Sequence, residues 1–336
     1  MRGEPLLKKV LLFGDPGIDD SFTIMYGLLH PKIEIVGIVT GYGNVSHIHA
    51  ARNAAYLLQL AGRTDIPIIS GATMPFTDEF VVYYPEIHGV EGMGPIHPPE
   101  SISSIPIYNF GSIASILAKY GGELTIVDVG RFTSLAIAFN LWNDMMQYIK
   151  EIHIMGGVFL QSGNVTPLAE ANIYGDPIAS RIVIRQARNL TMFPLNVTNK
   201  AILTPDVANY IVNNTSNPFK SVIKPMYDYY FAAYKKLNPD IEGPLLHDVL
   251  AMSALINPTS LKYVYREVTA DTHREAKGQT FADFRPSAKS TGVRIALELD
   301  QQMFIQDFIK VMIRMAWFCI KIVSFYSFRE GMIANR

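Results

Sequence analysis

The alternation of short apolar strands with helices in the first seventy residues constrains the fold most strongly. Residues 10–13, 33–40 and 66–70 are short apolar or β-branched runs bounded by turn residues. Helical periodicity follows the first two runs, over 21–29 and 48–61. Strands separated by helices are joined by right-handed crossovers into a mostly parallel sheet. The sequence therefore predicts an α/β fold with an open, Rossmann-like sheet flanked by helices.

The same alternation continues through most of the chain. Further strands are predicted over 124–129, 152–155 and 190–194, with late edge strands over 263–269 and 293–299. Further helices are predicted over 112–120, 133–140 and 176–188, with a long helical stretch from Pro205 to about Ile256 and a closing helix from Met303. Because no linker or internal repeat interrupts this pattern, we expect a single domain over residues 1–336.

Composition excludes several classes of protein. With 29 basic and 30 acidic residues, the chain lacks the basic excess of a nucleic-acid binder. The single cysteine, Cys319, excludes an internal disulfide and favours a reducing, cytoplasmic location. We expect no secretion signal, and the apolar run over 311–328 is interrupted by Arg314 and Lys321. This run predicts an amphipathic helix at a surface or interface, not a membrane span.

Three aspartates within six residues follow the first predicted strand. Asp15, Asp19 and Asp20 repel one another unless a positive group offsets their charge. Ca²⁺ and Mg²⁺ are hard cations that prefer oxygen ligands of this kind. Alternatively, Asp19 or Asp20 caps the following helix, although capping does not account for all three carboxylates. Since open parallel sheets bind ligands beyond the strands' carboxyl ends, the turn predicts a metal site there.

Three further clusters carry polar or glycine residues. They are His247-Asp248, the segment 164–172 with Asn164, Glu170 and Asn172, and the glycine-rich loop 87–94 with His88. The first is either a helix cap or part of a site. The second suits a polyol, because amide and carboxylate groups match hydroxyls that donate and accept, or it is a polar surface loop. The third is either a mobile lid or a plain surface loop.

Together, these clusters occur in the order seen in nucleoside hydrolases. The matching residues are Asp15-Pro-Gly-x-Asp19-Asp20, Gly43-Asn44, His88-Gly89, Met155-Gly-Gly, Asn164-Val-Thr-Pro with Glu170 and Asn172, and His247-Asp248. The chain resembles the inosine–uridine-preferring nucleoside hydrolases over roughly residues 8–312, whereas the tail over 313–336 is unassigned. An ordered set of motifs is far more specific than the aspartate-rich turn alone.

The resemblance implies Ca²⁺-dependent hydrolysis of the N-glycosidic bond of ribonucleosides to ribose and a free base, as in nucleoside salvage. It implies Ca²⁺ ligands at Asp15, Asp20, Asp248 and the carbonyl of Val129. It makes Asp15 the general base toward a metal-activated water, and it makes His247 the residue that assists departure of the base. It implies ribose contacts from Asp19, Asn44, His88, Asn164, Glu170 and Asn172. We expect the substrate to be a small-molecule nucleoside. We expect the protein to form a homodimer or homotetramer.

A catalytically inactive ribose- or nucleoside-binding protein on the same fold is the alternative function. A binder would need neither a general base nor a leaving-group residue. The joint presence of Asp15, Asp20, Asp248 and His247 therefore counts against it. A Mg²⁺-dependent phosphotransferase is less favoured because no Gly-x-x-x-x-Gly-Lys-Ser/Thr loop occurs. A dinucleotide oxidoreductase is disfavoured because the turn over 14–17 does not complete a Gly-x-Gly-x-x-Gly pattern.

Three positions depart from the family pattern. Phe13 stands where the family often has an aspartate, Ala171 replaces a larger apolar residue, and Asn196 stands where an aspartate is usual. Purine-specific members stack the base between tryptophans, but Trp142 and Trp317 lie away from the predicted site segments. The sequence thus favours a pyrimidine or mixed preference. Because no lysine or arginine is assigned beside the carboxylates, we expect a strongly anionic pocket.

Overall fold

The structure, a computed structural model, describes residues 7–77 and 79–314. Most of the amphipathic helix expected over 311–328 lies outside the described residues, as do Trp317 and Cys319. Within the described ranges, no helix combines the length and apolar composition needed to cross a membrane.

Most of the strands join one large sheet. They are β1 (Lys8–Gly14), β2 (Ile33–Thr40), β3 (Ile68–Ser70), β4 (Ile107–Tyr108), β5 (Leu124–Asp128), β6 (Glu151–Met155), β7 (Leu190–Phe193), β8 (Leu261–Arg266), β9 (Val268–Ala270), β10 (Thr280–Ala282) and β11 (Val293–Leu299). In the described part of the chain, nine of them pair in the order β4-β3-β2-β1-β5-β6-β7-β11-β8, and β9 and β10 form a separate hairpin. All pairs in the large sheet are parallel except β11 with β8. The predicted open, mostly parallel sheet is confirmed.

Helices cover both faces of this sheet. They are α1 (Ile18–Leu29), α2 (His47–Leu60), α3 (Pro85–His88), α4 (Ser112–Tyr120), α5 (Thr133–Met146), α6 (Ala171–Gly175), α7 (Pro177–Gln186), α8 (Leu195–Thr198), α9 (Pro205–Asn214), α10 (Lys220–Leu237), α11 (His247–Ser253) and α12 (Gln301–Met312). The side chains of β1 alternate between the faces: Val10 and Leu12 join one apolar cluster, and Leu11 and Phe13 join the other. A strand buried on both faces is therefore apolar throughout, as the first predicted strand is.

The order of the strands reverses at β1. From β1 the chain adds β2, β3 and β4 on one side, and β5, β6 and β7 on the other. In open α/β sheets the crevice at such a switch point is where ligands bind, because the flanking loops separate there. The carboxyl ends of β1 and β5, at Gly14 and Asp128, border this crevice.

Two predictions about the late strands are wrong, one about a strand's position in the sheet and one about a strand's bounds. Residues 293–299 are not an edge strand, because β11 is inserted between β7 and β8. Its residues Ile295 and Ala296 are buried completely, which requires cover that an edge position does not supply. Residues 263–269 do not form one strand, since the chain leaves the large sheet after Arg266 and continues as β9 of the hairpin.

The long helical stretch predicted after Pro205 divides into α9, α10 and α11. The gap between α10 and α11 contains Asn238-Pro239 and Gly243-Pro244. A residue before proline avoids the helical region of φ/ψ space, so each pair interrupts a helix. The single-domain organisation stays a prediction that the continuous sheet supports.

Candidate active site

The three aspartates that follow β1 differ in their hydrogen bonds. One caps a helix, and the other two each keep an oxygen without a partner among the described residues. Asp20 accepts hydrogen bonds from the backbone N–H groups of Asp15 and Gly17, each at 3.1 Å. It therefore caps α1, which begins at Ile18. Asp15 Oδ1 and Asp19 Oδ1 are buried and have no hydrogen-bond partner among the described residues. The capping interpretation thus explains Asp20 and leaves the other two aspartates available for chemistry.

Glycines on two neighbouring turns give Asp15 its place. Asp15 Oδ2 accepts a hydrogen bond from the backbone N–H of Asn44 at 2.6 Å. A Cβ atom at Gly43 would lie 1.7 Å from that oxygen, and one at Gly130 would lie 2.9 Å from Asp15 Oδ1. Only a backbone without side chains can approach the carboxylate this closely.

Asp248, in the first turn of α11, completes a group of carboxylates drawn from two distant parts of the chain. In the described ranges, Asp19, Asp20 and Asp248 each offer one carboxylate oxygen, and these three atoms lie within 4.8 Å of one another. Two carboxylates in contact cannot both ionise unless a cation compensates them. The donor set is made of hard oxygen atoms, which suits Ca²⁺ or Mg²⁺.

Burial makes all of these carboxyl groups weaker acids than usual. It raises the pKa of Asp19 to about 7 and that of Asp20 to about 6, and it raises the pKa values of Asp15 and Asp248 as well. The charges of neighbouring aspartates add to the effect of burial on Asp15, Asp19 and Asp248. The negative charge at the turn is thus costly, and a bound cation would offset that cost.

The segment over 164–172 forms the opposite wall. Glu170 caps α6, with Oε1 accepting from Asn172 N at 2.8 Å and Oε2 from Gly157 N at 2.9 Å. Burial raises the pKa of Glu170 to about 6. The side-chain amide of Asn172 donates to the carbonyl of Val129 at 2.9 Å, and Asn164 Oδ1 accepts from Ala171 N at 3.0 Å. The segment is therefore held against β5 and β6 and is not a loose surface loop.

His88 is held in one tautomer. Its Nδ1 accepts a hydrogen bond from the backbone N–H of Ile18 at 3.1 Å, so the proton of the neutral ring is on Nε2. Burial lowers the pKa of His88 to about 3, which keeps the ring neutral at physiological pH. A Cβ atom at Gly17 would lie 2.5 Å from the same Nδ1 atom. This loop therefore presents an imidazole N–H donor.

His247, the first residue of α11, makes a hydrogen bond with each ring nitrogen. Nδ1 lies 2.8 Å from the Oγ1 atom of Thr198, and Nε2 lies 3.1 Å from the hydroxyl of Tyr234. Burial lowers the pKa of His247 to about 4. The tyrosine and the histidine therefore form a hydrogen-bonded pair through which a proton can pass.

One cleft of about 530 Å³ brings most of the predicted residues together. The predicted residues that line it are Asp19, Asn44, His88, Val129, Asn164, Glu170, Asn172, His247 and Asp248. Asp15 and Asp20 are buried, at 2% exposure each, in the turn that carries Asp19. Trp142 packs against Phe110 at 5.7 Å between ring centroids, and the cleft's described lining includes no tryptophan.

Sequence reasoning missed two buried charged residues at the end of β5. Arg131 is 9% exposed, and its charge lowers the pKa values of Asp15 and Glu170 against the effect of burial. The expected absence of a basic residue beside the carboxylates is therefore wrong. Asp128, the Cα partner of Phe13, is 1% exposed, and its Oδ2 is unpaired within the described ranges. Asp128 lies near the end of a predicted strand and Arg131 follows it, which was the signal available in the sequence.

Asn196 has a structural reason for departing from the family pattern. Its Oδ1 accepts from Phe159 N at 3.0 Å, and its Nδ2 donates to Phe159 O at 2.7 Å. An amide can satisfy both backbone groups, whereas an aspartate would place its carboxylate against a carbonyl oxygen. This position therefore supports the loop after β6 and does not belong to the metal site.

Comparison with known proteins agrees with this geometry. A family model described as "Inosine-uridine preferring nucleoside hydrolase" matches residues 10–306. "Probable uridine nucleosidase 2" of Arabidopsis thaliana is 32% identical over 81% of this chain and 85% of its own length. "Inosine-uridine preferring nucleoside hydrolase" of Crithidia fasciculata is 31% identical over 88% and 95%.

A solved structure shares the fold as well. The purine-preferring ribonucleoside hydrolase from Gardnerella vaginalis superposes with a TM-score of 0.83 at 29% identity, covering 91% of this chain and 98% of its own. The resemblance inferred from the motifs is thereby confirmed. The chain belongs to the inosine-uridine preferring nucleoside hydrolase family, a family of N-ribosyl hydrolases.

Proposed function

We propose that this chain uses Ca²⁺ to hydrolyse the N-glycosidic bond of ribonucleosides, with Asp15 as the general base. The observation that carries the proposal is the cleft itself. Its lining combines polar groups for the ribose with the His247–Tyr234 pair for the leaving base, and the aspartate-rich turn borders it. Cleavage builds positive charge on the ribose, which nearby carboxylates stabilise electrostatically.

The residues at the turn fit a divalent cation. Asp15 Oδ1 and Asp19 Oδ1 are buried oxygens without a partner in the described ranges, and an unpaired buried acceptor is unfavourable. Asp15, Asp20, Asp248 and the carbonyl of Val129 would hold the ion, and Asp19 offers an oxygen within 4.8 Å of those of Asp20 and Asp248. When bound, Ca²⁺ would lower the pKa of a water molecule at the site. Asn172 supports the arrangement by holding the Val129 carbonyl in place.

Asp15 suits the role of a general base. One of its oxygens is fixed by Asn44 N, and the other is unpaired among the described residues. Burial and the charge of Asp20 raise the pKa of Asp15, and a higher pKa makes the carboxylate a stronger acceptor for the proton of an attacking water. No covalent intermediate is required.

The ribose would be gripped from two sides. Asp19 and Asn44 would face it from the segments after β1 and β2, and His88 from the end of α3. Asn164, Glu170 and Asn172 would face it from the wall over 164–172. The carboxylates accept from the sugar hydroxyls, and the amides both donate and accept. His88 supplies an N–H donor, because its Nδ1 is already occupied by Ile18 N.

The departing base would receive a proton from the His247–Tyr234 pair. Tyr230 packs edge-to-face against Tyr234 at 4.9 Å, and both line the cleft. The described lining of the cleft carries tyrosines and no tryptophan, which supports acceptance of pyrimidines, alone or together with purines. Relatives named uridine nucleosidases agree with that preference.

One experiment tests the proposal. The protein is incubated with uridine, cytidine, inosine and p-nitrophenyl riboside, with Ca²⁺ or with a chelator, and released ribose is measured as reducing sugar. We expect ribose only when Ca²⁺ is present, with uridine among the substrates cleaved. Absence of ribose from every substrate, in a protein that still binds nucleosides by calorimetry, would establish the inactive binding protein instead.

Calcium binding has a readout that is independent of activity. A ligand that binds only the folded state stabilises it by about 2.7 kcal/mol at a hundredfold excess over its Kd. We therefore expect added Ca²⁺ to raise the Tm and a chelator to reverse the rise. An Asp248→Asn variant should lose most of this response, whereas Asp144→Asn, on the exposed side of α5, should retain it.

A further inference from the structure

Arg131 is a buried cation with no part in the mechanism above. It follows the carboxyl end of β5, and its guanidinium lies 5.0 Å from the ring centroid of Tyr42. A Cβ atom at Gly175 would lie 2.4 Å from its Cδ and Nε atoms. The side chain is therefore confined by an aromatic ring on one side and by the backbone of α6 on another.

The guanidinium joins two backbone segments at the cleft. Arg131 Nη2 donates to the carbonyl of Val82 at 2.7 Å and, at 3.5 Å, to that of Gly43, the glycine that gives Asp15 its room. Two residues beyond Val82, the N–H of Tyr84 donates to Asn44 O at 3.1 Å. Burial raises the pKa of the Tyr84 phenol, and the charge of Arg131 opposes the rise. Arg131 thus lies near Tyr84 and is connected to it through the backbone at Val82.

The segment over 79–84, here called the roof segment, has little apolar packing of its own. Phe80 is 98% exposed and Val82 is 59% exposed. The last residue of the segment, Tyr84, lines the cleft. Besides Arg131, it is held by an ion pair between Glu79 and Lys277. A segment with few apolar contacts is held mainly by polar contacts, and contacts to charged groups are the strongest of these.

We propose that Arg131 is a positioning residue for substrate binding, because its hold on Val82 places Tyr84 over the sugar end of the cleft. The inference rests on the proposed nucleoside hydrolase function for its kinetic consequence only. Tyr84 would contact the sugar equally in the ground state and in the transition state. Loss of this hold should therefore raise KM, and kcat should stay nearly unchanged in a variant that keeps the positive charge beside Asp15.

The test uses Arg131→Met, Arg131→Lys and the matched control Arg185→Met, which makes the same change on the exposed face of α7. Hydrogen exchange of the amides over 79–88 is measured without substrate, and KM and kcat are measured with uridine. Loss of a hydrogen bond to a charged group shifts an equilibrium by roughly tenfold or more. For Arg131→Met we expect about tenfold faster exchange in this segment and an approximately tenfold higher KM. Arg131→Lys keeps the positive charge beside Asp15, so it should recover part of both effects with kcat within about threefold of wild type.

Unchanged exchange in Arg131→Met would overturn the proposal, as would a fall in kcat at constant KM in Arg131→Lys. A lower Tm together with faster exchange throughout the chain would also overturn it, because that outcome indicates a general structural role. If Arg131→Met does not fold, Arg131→Lys decides by the same criteria. Should wild type hydrolyse no nucleoside, the proposed function fails, and the exchange measurement alone still decides whether Arg131 holds the roof segment.

Discussion

At the scale of single residues, the carboxylates of the site differ in how many hydrogen bonds they already make. Asp20 and Glu170 accept backbone N–H bonds on both oxygens, so their geometry is fixed by the helices that they cap. Asp15 and Asp19 each keep a buried oxygen unpaired within the described residues. An unpaired buried acceptor typically costs about 1–3 kcal/mol, so these two atoms are the ones available to a cation or a reacting proton.

Asp15→Asn separates chemistry from stability. General-base assistance is typically worth about 10²–10⁴-fold, so we expect kcat for uridine to fall by that range. We expect the Tm without Ca²⁺ to stay equal or rise, because the amide oxygen still accepts from Asn44 N and a buried charge is removed. Steady-state kinetics and calorimetry measure the two effects, with Asp144→Asn as the surface control. A lower Tm with activity preserved would instead make Asp15 a structural residue.

His247→Ala should distinguish between substrates. We expect kcat for uridine to fall about 10²-fold or more, since the departing base then lacks a proton donor. Hydrolysis of p-nitrophenyl riboside should change by less than about threefold, because nitrophenolate departs without protonation. His97→Ala is the control, since that side chain is 71% exposed. Equal losses on both substrates would contradict a leaving-group role for His247.

At the scale of elements, the site is assembled from turns that follow different strands. The turn after β1 supplies three aspartates, the turn after β2 supplies Gly43 and Asn44, and α11 brings Asp248 from the far end of the sequence. Helix α1 contributes at its N-terminus, where backbone N–H groups favour carboxylates. The geometry therefore depends on how closely backbone segments approach one another, which glycine permits.

Gly43→Ala tests this close approach. A methyl group at Gly43 would meet Asp15 Oδ2 at 1.7 Å, whereas one at Gly41 would meet its nearest atom, Ser134 Oγ, at 3.5 Å. We expect Gly43→Ala to lower kcat/KM for uridine at least about 10²-fold, since a misplacement of about 1 Å has that effect. Gly41→Ala in the same turn should retain activity within about threefold. Similar kinetics for the two variants would show that Asp15 does not need this space.

At the scale of the whole molecule, polar contacts connect strands across the sheet. Lys8 on β1 donates to Glu151 on β6 at 3.0 Å, crossing over β5. His153, whose Nε2 lies 3.6 Å from Glu151 Oε2, and Lys8 lower the pKa of Glu151 from 4.5 to about 2. This pair lies at the end of the sheet opposite to the cleft, so it affects stability without touching the site. The predicted homodimer or homotetramer stays a prediction.

Glu151 gives stability a defined pH dependence. Because its pKa is lower in the folded state, its contribution is complete above about pH 4.5 and is lost as the pH falls toward 2. We expect Glu151→Gln to reduce the free energy of unfolding near pH 6 by roughly 1–2 kcal/mol, allowing for partial exposure, and to differ less from wild type at pH 3. Urea unfolding at both pH values measures this difference. The pair of Glu123 with Lys9 is the control, because the Glu123 side chain is 66% exposed. An equal effect from Glu123→Gln would contradict the assignment.

The motifs on strand ends were predictable from the sequence, whereas contacts across the cleft were not. Asp15 and Asn44 come after apolar runs that predict strands, and Val129 is the last residue of such a run. Because the carboxyl ends of parallel strands lie at one edge of the sheet, these residues were expected to lie close together. Arg131 follows the same strand as Val129, but nothing in its neighbours shows that its guanidinium turns back to reach Val82. The partners of His247, Thr198 and Tyr234, are 49 and 13 residues away.

Hydrophobic periodicity and ordered motifs are local properties of the chain, and they were enough to predict the α/β class, the parallel sheet and the family. Three features could be read only from the folded molecule: the position of β11 inside the sheet, the aspartates that are already hydrogen-bonded, and the place of Arg131 beside the carboxylates. Those features depend on distances between segments far apart in the chain. Such distances result from packing of the whole molecule and not from the pattern of any one segment.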